Sequence, residues 1–427
     1  MFRLKLITVR NSVWHNVGLL VTVFVSIGSN LFGAATNSDW PQFLGPQRDG
    51  IYFGPPLAKA WPKEGPPVVW KRDVGPGFAG PAVSGERLIL FHRRDDRAVV
   101  ECLYAQTGKP IWQADYATDY RDDFGFDEGP RATPTIADGR VFTFGAEGRL
   151  SCWKLATGAL LWSVDVVKEF GSQKGFFGRA ASPLVEGDLV ILMPGGRDGA
   201  GVVALEAATG KVRWKATKDE ASYASPTAAM IRGRRIIFAL TREALVALQP
   251  TDGQVLFNHP WRPRGSATVS AATPLVIEDM IFLSASYGTG ASLFRFKERG
   301  PEEIWSHDDV LSNHYANSVH QGGFLYGWHG RQEQGCEFRC VELKTGKVRW
   351  SEAGLKAGSV ILAGNDLLLL TERGLLIRVP ATPEGFKPAA HAQVLPADVR
   401  AFPALANGFF FARSKEQLVC LDLRKEP

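Results

Sequence analysis

The sequence lacks the short signatures by which many enzymes announce their chemistry. It holds no Cys-x-x-Cys-His for covalent haem, no His-Glu-x-x-His and no Gly-x-Ser-x-Gly. It also lacks a charge excess. Basic residues number 49 against 44 acidic ones, and Arg3, Lys5 and Arg10 all precede the first acid, Asp39. Without those three the balance is 46 to 44, or +2, so bulk charge gives no argument for a nucleic-acid partner. Helix-length segments are missing too, because 45 Gly interrupt the apolar runs. Cys is scarce, with five residues, an odd number for a disulfide framework.

What is present is a repeat. A Thr-Gly turn followed by Trp four residues after the Gly occurs at Thr107-Gly108 to Trp112, Thr157-Gly158 to Trp162, Thr209-Gly210 to Trp214 and Thr345-Gly346 to Trp350. Worn copies run from Gly253 to Phe257 and from Gly300 to Trp305, and Trp70 extends the series toward the N-terminus. The aromatic spacing of 42 to 52 residues is that of a propeller blade or a larger solenoid repeat. Within the clearest copy, four short apolar runs between Ala132 and Val164 are separated by Asp138-Gly139, Gly145 to Gly148 and Thr157-Gly158, which is hairpin chemistry. Each repeat is therefore a four-stranded antiparallel sheet. Such a sheet is apolar on both faces and has open edges, so it must pack against copies of itself around an axis. The fold class is all-β, an eight-bladed β-propeller of four-stranded antiparallel blades, with seven blades as the competing count.

The stretch Ala204-Leu205-Glu206-Ala207-Ala208-Thr209-Gly210-Lys211-Val212-Arg213-Trp214 resembles the repeat of the pyrroloquinoline quinone (PQQ) dehydrogenase-like propellers, Ala-x-Asp-x-x-Thr-Gly-x-x-x-Trp. The resemblance covers nearly all of the chain beyond its first segment. It implies that each aromatic, namely Trp70, Trp112, Trp162, Trp214, Phe257, Trp305 and Trp350, docks between its own blade's Gly peptide and the small first residue of the next repeat. Many members of this family bind no quinone.

The first 35 residues read as a secretory signal, with a basic start, an apolar run from Val17 to Ile27 and a small-residue exit at Gly33-Ala34-Ala35. The run is short for a membrane span, and a retained anchor is the alternative. Either way the remainder is expected to be exported, as a periplasmic or secreted monomer. Residues 36–67 form an N-terminal strap, in which Trp40-Pro41-Gln42-Phe43-Leu44-Gly45-Pro46-Gln47-Arg48-Asp49-Gly50 resembles the segment that opens many exported propellers of the family. Trp40 and Phe43 are its expected packing anchors. Residues 68–427 form the propeller. Its blades begin near Gly80, Ala132, Ala181, Ala224, Ala272, Ala316, Gly358 and Phe402. The last blade lacks a Trp strand, and a strand over 68–74 is expected to complete it and close the ring. Blade seven lacks its own Trp.

Cys102, Cys152, Cys340 and Cys420 align with Ala204 and Ala247, where a small residue is required, so they read as small buried hydrophobes. Equivalent positions on different blades are too far apart for disulfides. Asp115, Asp119, Asp122, Asp123, Asp127 and Glu128 make the connection before blade two acidic, interleaved with Tyr116, Tyr120, Phe124 and Phe126. EF-hand spacing is absent, so this reads as a solvated loop packed over one end of the ring rather than a calcium site. Tyr287-Gly288-Thr289-Gly290 is a hairpin turn, because no helix follows to make a phosphate cradle.

Just ahead of the first strands stand Phe78, Arg131, Tyr223, Tyr315 and Arg400, with Arg179 one place earlier, and His314, Asn317 and His320 flank the same point in blade six. If the first strand of each blade is innermost, these residues ring one mouth of the central channel as a candidate ligand or peptide site. They are expected to face solvent and to contribute little to stability. No catalytic residue and no metal ligand is assigned. The vicinal Cys pair and the calcium-ligand set of the PQQ alcohol dehydrogenases have no counterpart, so no cofactor is expected. The expected function is an exported, non-catalytic scaffold that binds envelope proteins or a small ligand, similar to the outer-membrane assembly propeller. The alternative is a PQQ-dependent dehydrogenase of alcohols or sugars with a degenerate site.

Overall fold

Each repeat folds as one four-stranded antiparallel sheet in the computed structural model, which describes residues 38–261 and 269–424. The signal assigned to residues 1–35 lies outside the described residues. Blade one comprises strands Ala82–Ser84, Arg87–Arg94, Arg97–Tyr104 and Pro110–Ala117, in that spatial order. Seven further sheets repeat the order, giving an eight-bladed β-propeller. The two central strands of a blade are sandwiched by neighbouring blades, so Leu88 to Arg93 are buried without alternation. The fourth strand is peripheral and half-exposed, as in Leu160–Asp165. Among the described residues, no helix is long and apolar enough to cross a membrane.

Val68–Asp73 pairs antiparallel with Gln417–Asp422, with Trp70 opposite Cys420. The last blade thus takes its outer strand from the start of the ring, which leaves no unclosed gap in the circle. Blade seven gains a fifth strand, Ile51–Tyr52, running parallel to its innermost strand Gly358–Ala363.

The repeat aromatics are inter-blade wedges, but their partner differs from the one the family resemblance implies. Five of them dock on the turn Gly of the following blade, not of their own, whereas Trp350 meets Phe386 and the Thr382 carbonyl there. Trp112 packs on Gly158, Trp162 on Gly210 and Trp214 on Gly253, while Trp70 packs on Gly108 of blade one. A Cβ added to Gly158 would lie 2.5 Å from the Trp112 ring, and its φ of +73° is itself a glycine conformation. Each indole N–H also crosses the interface, from Trp112 to the Leu155 carbonyl (2.8 Å) and from Trp162 to that of Ala207 (3.1 Å). Phe257 fills the equivalent place without a donor and meets Phe296 at 5.9 Å.

Directly across the strand pair from Trp112, Trp162, Trp214, Trp350 and Trp70 lie Cys102, Cys152, Ala204, Cys340 and Cys420. A bulge at the residue before each aromatic aims its ring over that small side chain. All five cysteines are free and buried. Burial pushes the Cys102 thiol up to about 11 and those of Cys152 and Cys340 up to about 12. Blade seven has no Trp, and Trp61 from the strap packs against the apolar cluster that contains its outer-strand Ala392.

The strap crosses the far end of the channel. Trp40 exchanges two backbone hydrogen bonds with Val83 of blade one (3.0 and 2.8 Å), and the Pro41 carbonyl accepts from Ile136 of blade two (2.8 Å). Arg48 then reaches into the axis. Its guanidinium donates to the carbonyls of Ser182 (3.2 Å), Pro226 (2.8 Å) and Pro183, and to Gln42 Oε1 (2.9 Å). Enclosure without a carboxylate partner lowers its pKa to about 9. Gly50 then bonds Leu362 of blade seven (2.9 Å).

Candidate functional site

With the strap across one end, the axial channel is a blind cavity of about 400 Å³ that opens at the other. Phe43 from the strap meets Phe402 at 5.5 Å, and both line the cavity. Six residues expected at the mouth line it: Phe78, Arg131, Tyr223, His314, Tyr315 and Arg400. They converge because each precedes the innermost strand of a different blade, apart from the neighbours His314 and Tyr315. Arg179 and Asn317 do not join them. Arg179 is buried behind the rim, donating to the carbonyls of Glu147 (2.9 Å) and Ser172 (3.1 Å). Asn317 Oδ1 accepts the Thr273 N–H at 2.7 Å, which ties blade five to blade six.

That bond belongs to a belt. Gly80 N–H donates to Thr133 Oγ1 (3.1 Å), Ser182 to Ser225 Oγ (2.9 Å) and Ser225 to Thr273 Oγ1 (3.1 Å), each reaching the next blade. The recurring Ala-Thr-Pro and Ala-Ser-Pro triplets encode it, with Asn317 as the variant in blade six. His320 is the middle residue of the strand Val319–Gln321, its Nε2 accepts from Gly323 (3.2 Å), and it does not line the cavity.

The mouth residues are less exposed than expected. The Arg131 side chain is 9% exposed and pairs with Asp122 at 3.1 Å, lying over the rings of Phe78 (5.1 Å) and Phe177 (5.7 Å). Tyr315 donates to Glu372 Oε1 at 2.6 Å, and Arg400 Nε pairs with the same oxygen at 3.0 Å. Burial, reinforced by Glu372, raises the Tyr315 phenol well above its ordinary pKa. The arginine faces stack on aromatics, with Arg400 over Phe126 (5.3 Å) and Arg331 over Tyr287 (4.5 Å). His314 bridges Tyr287 Oη (3.1 Å) and Gln332 Oε1 (2.7 Å), and burial lowers its pKa.

The acidic connection is not uniformly solvated. Asp122 is buried and accepts the N–H groups of Phe126 (2.7 Å), Asp127 (3.0 Å) and Phe124 (3.2 Å) besides pairing with Arg131. Burial opposes its ionisation, but these donors outweigh burial and hold its pKa below the usual value. Asp127 is buried too, accepting from Gly129 (2.6 Å) and Gly77 (3.2 Å). The two carboxylates fold the loop back on itself and present Phe124 and Phe126 at the rim. Phe177, in ring contact with both, and Arg331 went unrecognised in the sequence. The Phe176-Phe177 pair between Gly175 and Gly178 was the available signal.

Residues 96–352 match the family described as outer membrane protein assembly factor BamB. No curated protein matches the sequence. Among solved structures, BamB from Moraxella catarrhalis superposes with a TM-score of 0.62 at 16% identity, over 84% of this chain and 98% of that one. Quinohemoprotein alcohol dehydrogenase from Comamonas testosteroni superposes with a TM-score of 0.66 at 14% identity, over 92% of this chain and 82% of that one. The computationally designed Ika8 protein gives 0.57 at 12%, over 84% and 100%. Identities this low speak for the fold alone.

PQQ with calcium belongs to the alternative reading of the sequence as a dehydrogenase. Calcium takes six to eight oxygens. Among the described residues no three His, Cys, Asp or Glu side chains gather as a metal set. The lining carboxylate Glu333 pairs with Arg331, and Glu372, which is not among the lining residues, holds Arg400 and Tyr315. The eight-bladed PQQ-like architecture and the sequence match over more than half of its length make this chain a member of the outer membrane protein assembly factor BamB family.

Proposed function

We propose that the protein is an exported, non-catalytic scaffold of the cell envelope that docks a partner at the open mouth of its propeller. The observation that carries this reading is the rim itself. Phe124, Phe126 and Phe176 are 54%, 40% and 36% exposed, side by side on two loops around an aromatic cavity. Clustered exposed aromatics beside arginines are the composition of binding hot spots. The assembly role printed for the matched family agrees with a protein partner. The near-neutral charge and the apolar segment before Asn37 support export without a nucleic-acid role.

The test is capture of envelope proteins on the purified chain, comparing wild type with Phe124→Ser/Phe126→Ser and with Met230→Ser. Met230 is 57% exposed and lies on the innermost strand of blade four, away from the rim. A discrete partner retained by wild type and Met230→Ser, and lost by the rim variant, is expected. An unchanged capture pattern overturns the reading, as does dye reduction with alcohol or sugar after addition of PQQ and calcium.

A further inference from the structure

The axial cavity has a neighbour. A second recess of about 580 Å³ lies beside it on the same face, and Ala180 and Tyr223 line both. The first is walled by aromatics, whereas the second mixes apolar residues such as Phe176 and Met193 with Lys174, Arg179, Glu220 and Arg242. Together they make a trough that starts over the axis and runs outward over Tyr223. A blind hole that continues into a shallow trough fits a chain laid across the face with one side chain pointing down. It does not fit a chain threaded through the ring, because Arg48 blocks the axis.

The charges at the hole are asymmetric. Three guanidiniums, Arg131, Arg331 and Arg400, line it against one lining carboxylate, Glu333. The carboxylates that pair with Arg131 and Arg400 stand behind them, Asp122 with a side chain 0% exposed and Glu372 with one 16% exposed. Arg400 uses only Nε on Glu372, and Arg331 only Nε on Glu333. The terminal nitrogens of both have no protein partner among the described residues. Each is a half-used fork, stacked on aromatic rings and open to a carboxylate from outside.

We infer that the mouth recognises an extended peptide segment in which one aromatic side chain is flanked by acidic residues. The aromatic ring enters the axial cavity among Phe78, Phe126, Phe177 and Tyr315. The flanking carboxylates engage the free nitrogens of Arg400 and Arg331. Strand spacing of about 3.3 Å per residue lets the chain then follow the trough past Tyr223. This rests on the docking reading above and names the chemistry of the partner.

The test is fluorescence anisotropy of a labelled peptide with an Asp-Glu-Trp-Glu-Asp core, using the full chain. Two control cores replace Trp by Ala, or the four acids by Lys. Saturable binding is expected, at least tenfold weaker for each control and tenfold weaker to Arg331→Ala/Arg400→Ala. Arg331→Lys/Arg400→Lys, which keeps the charge without the fork, should fall between, and melting curves identify any variant that fails to fold. Equal binding of the Lys or Ala core overturns the inference. So does indole-3-acetate binding as tightly as the peptide, which would make the cavity a small-molecule site. No binding of the peptide, with partner capture still lost in Phe124→Ser/Phe126→Ser, would sink the peptide chemistry and leave the docking surface standing.

Discussion

Replacing Trp162 by Ala tests the wedge account in numbers. The ring fills the seam between blades two and three, against Gly210 and 6.0 Å from the Phe142 ring. Truncating a buried Trp costs about 3–5 kcal/mol, and this one is only partly buried, so the lower end applies. The lost indole N–H leaves the buried Ala207 carbonyl short of a donor, roughly another 1 kcal/mol. The total is about 4 kcal/mol. With an unfolding entropy of ~2.1 cal/mol/K per residue over roughly 380 residues, Tm should fall by about 5 °C. Trp162→Phe keeps the apolar wedge and loses the donor, as Phe257 does naturally in blade four, and should fall by about 1–2 °C. Thermal melts followed by circular dichroism decide it. An Ala variant melting within 1 °C of wild type, or a Phe variant as unstable as Ala, would refute the wedge reasoning.

Arg48→Ala should destabilise by about 2–4 kcal/mol in urea, because the Ser182, Pro183 and Pro226 carbonyls lose their charged donor; a neutral effect would show that the strap is not anchored at the axis. Titration of the denatured, unreduced protein should count five free thiols, and the native protein should resist the same reagent at pH 8, since every Cys is buried with its pKa raised; fast native labelling would contradict the packing. His92 is buried, accepts the Gly75 N–H at 2.8 Å, and has its pKa lowered to about 3 by burial and then by Arg413, Arg94 and Arg72. The unfolded chain therefore takes up a proton below about pH 6.5 that the folded one refuses, so stability falls from there toward pH 3, at up to about 1.4 kcal/mol per pH unit. Urea midpoints at pH 7.5 and 5 should differ less in His92→Gln than in wild type, and an unchanged difference would rule out His92 as a source.

The blades were legible because each is written locally. Thr-Gly turns, alternating hairpin signals and a fixed aromatic offset need no knowledge of distant contacts, so Trp112, Trp162 and Trp214 and the small residues opposite them could be read directly. The direction of docking could not. Whether Trp162 meets its own blade's turn or Gly210 in the next depends on how blades stack, and the two readings share one sequence pattern. The mouth was half legible. Phe78, Arg131, Tyr223, Tyr315 and Arg400 share an offset from the innermost strands, and that offset carried them to one cavity. Asn317 shared the neighbourhood but serves the inter-blade belt, which only the pairing of Thr273 N–H with its Oδ1 reveals. Asp122 looked like one acid among six, and its burial follows from the loop closing on its own N–H groups. Arg48 gave no sign of reaching the axis, because its partners are carbonyls more than a hundred residues away.

The central claim is that the open mouth is where a partner binds. A photo-activated benzophenone side chain placed at Phe126, 40% exposed beside Arg400, measures this in the cell envelope. The same group at Met230 serves as the control. Illumination should give discrete adducts from position 126, suppressed by Arg331→Ala/Arg400→Ala in the same chain, and none from position 230. Adducts of equal yield from both positions, or from position 230 alone, would contradict it.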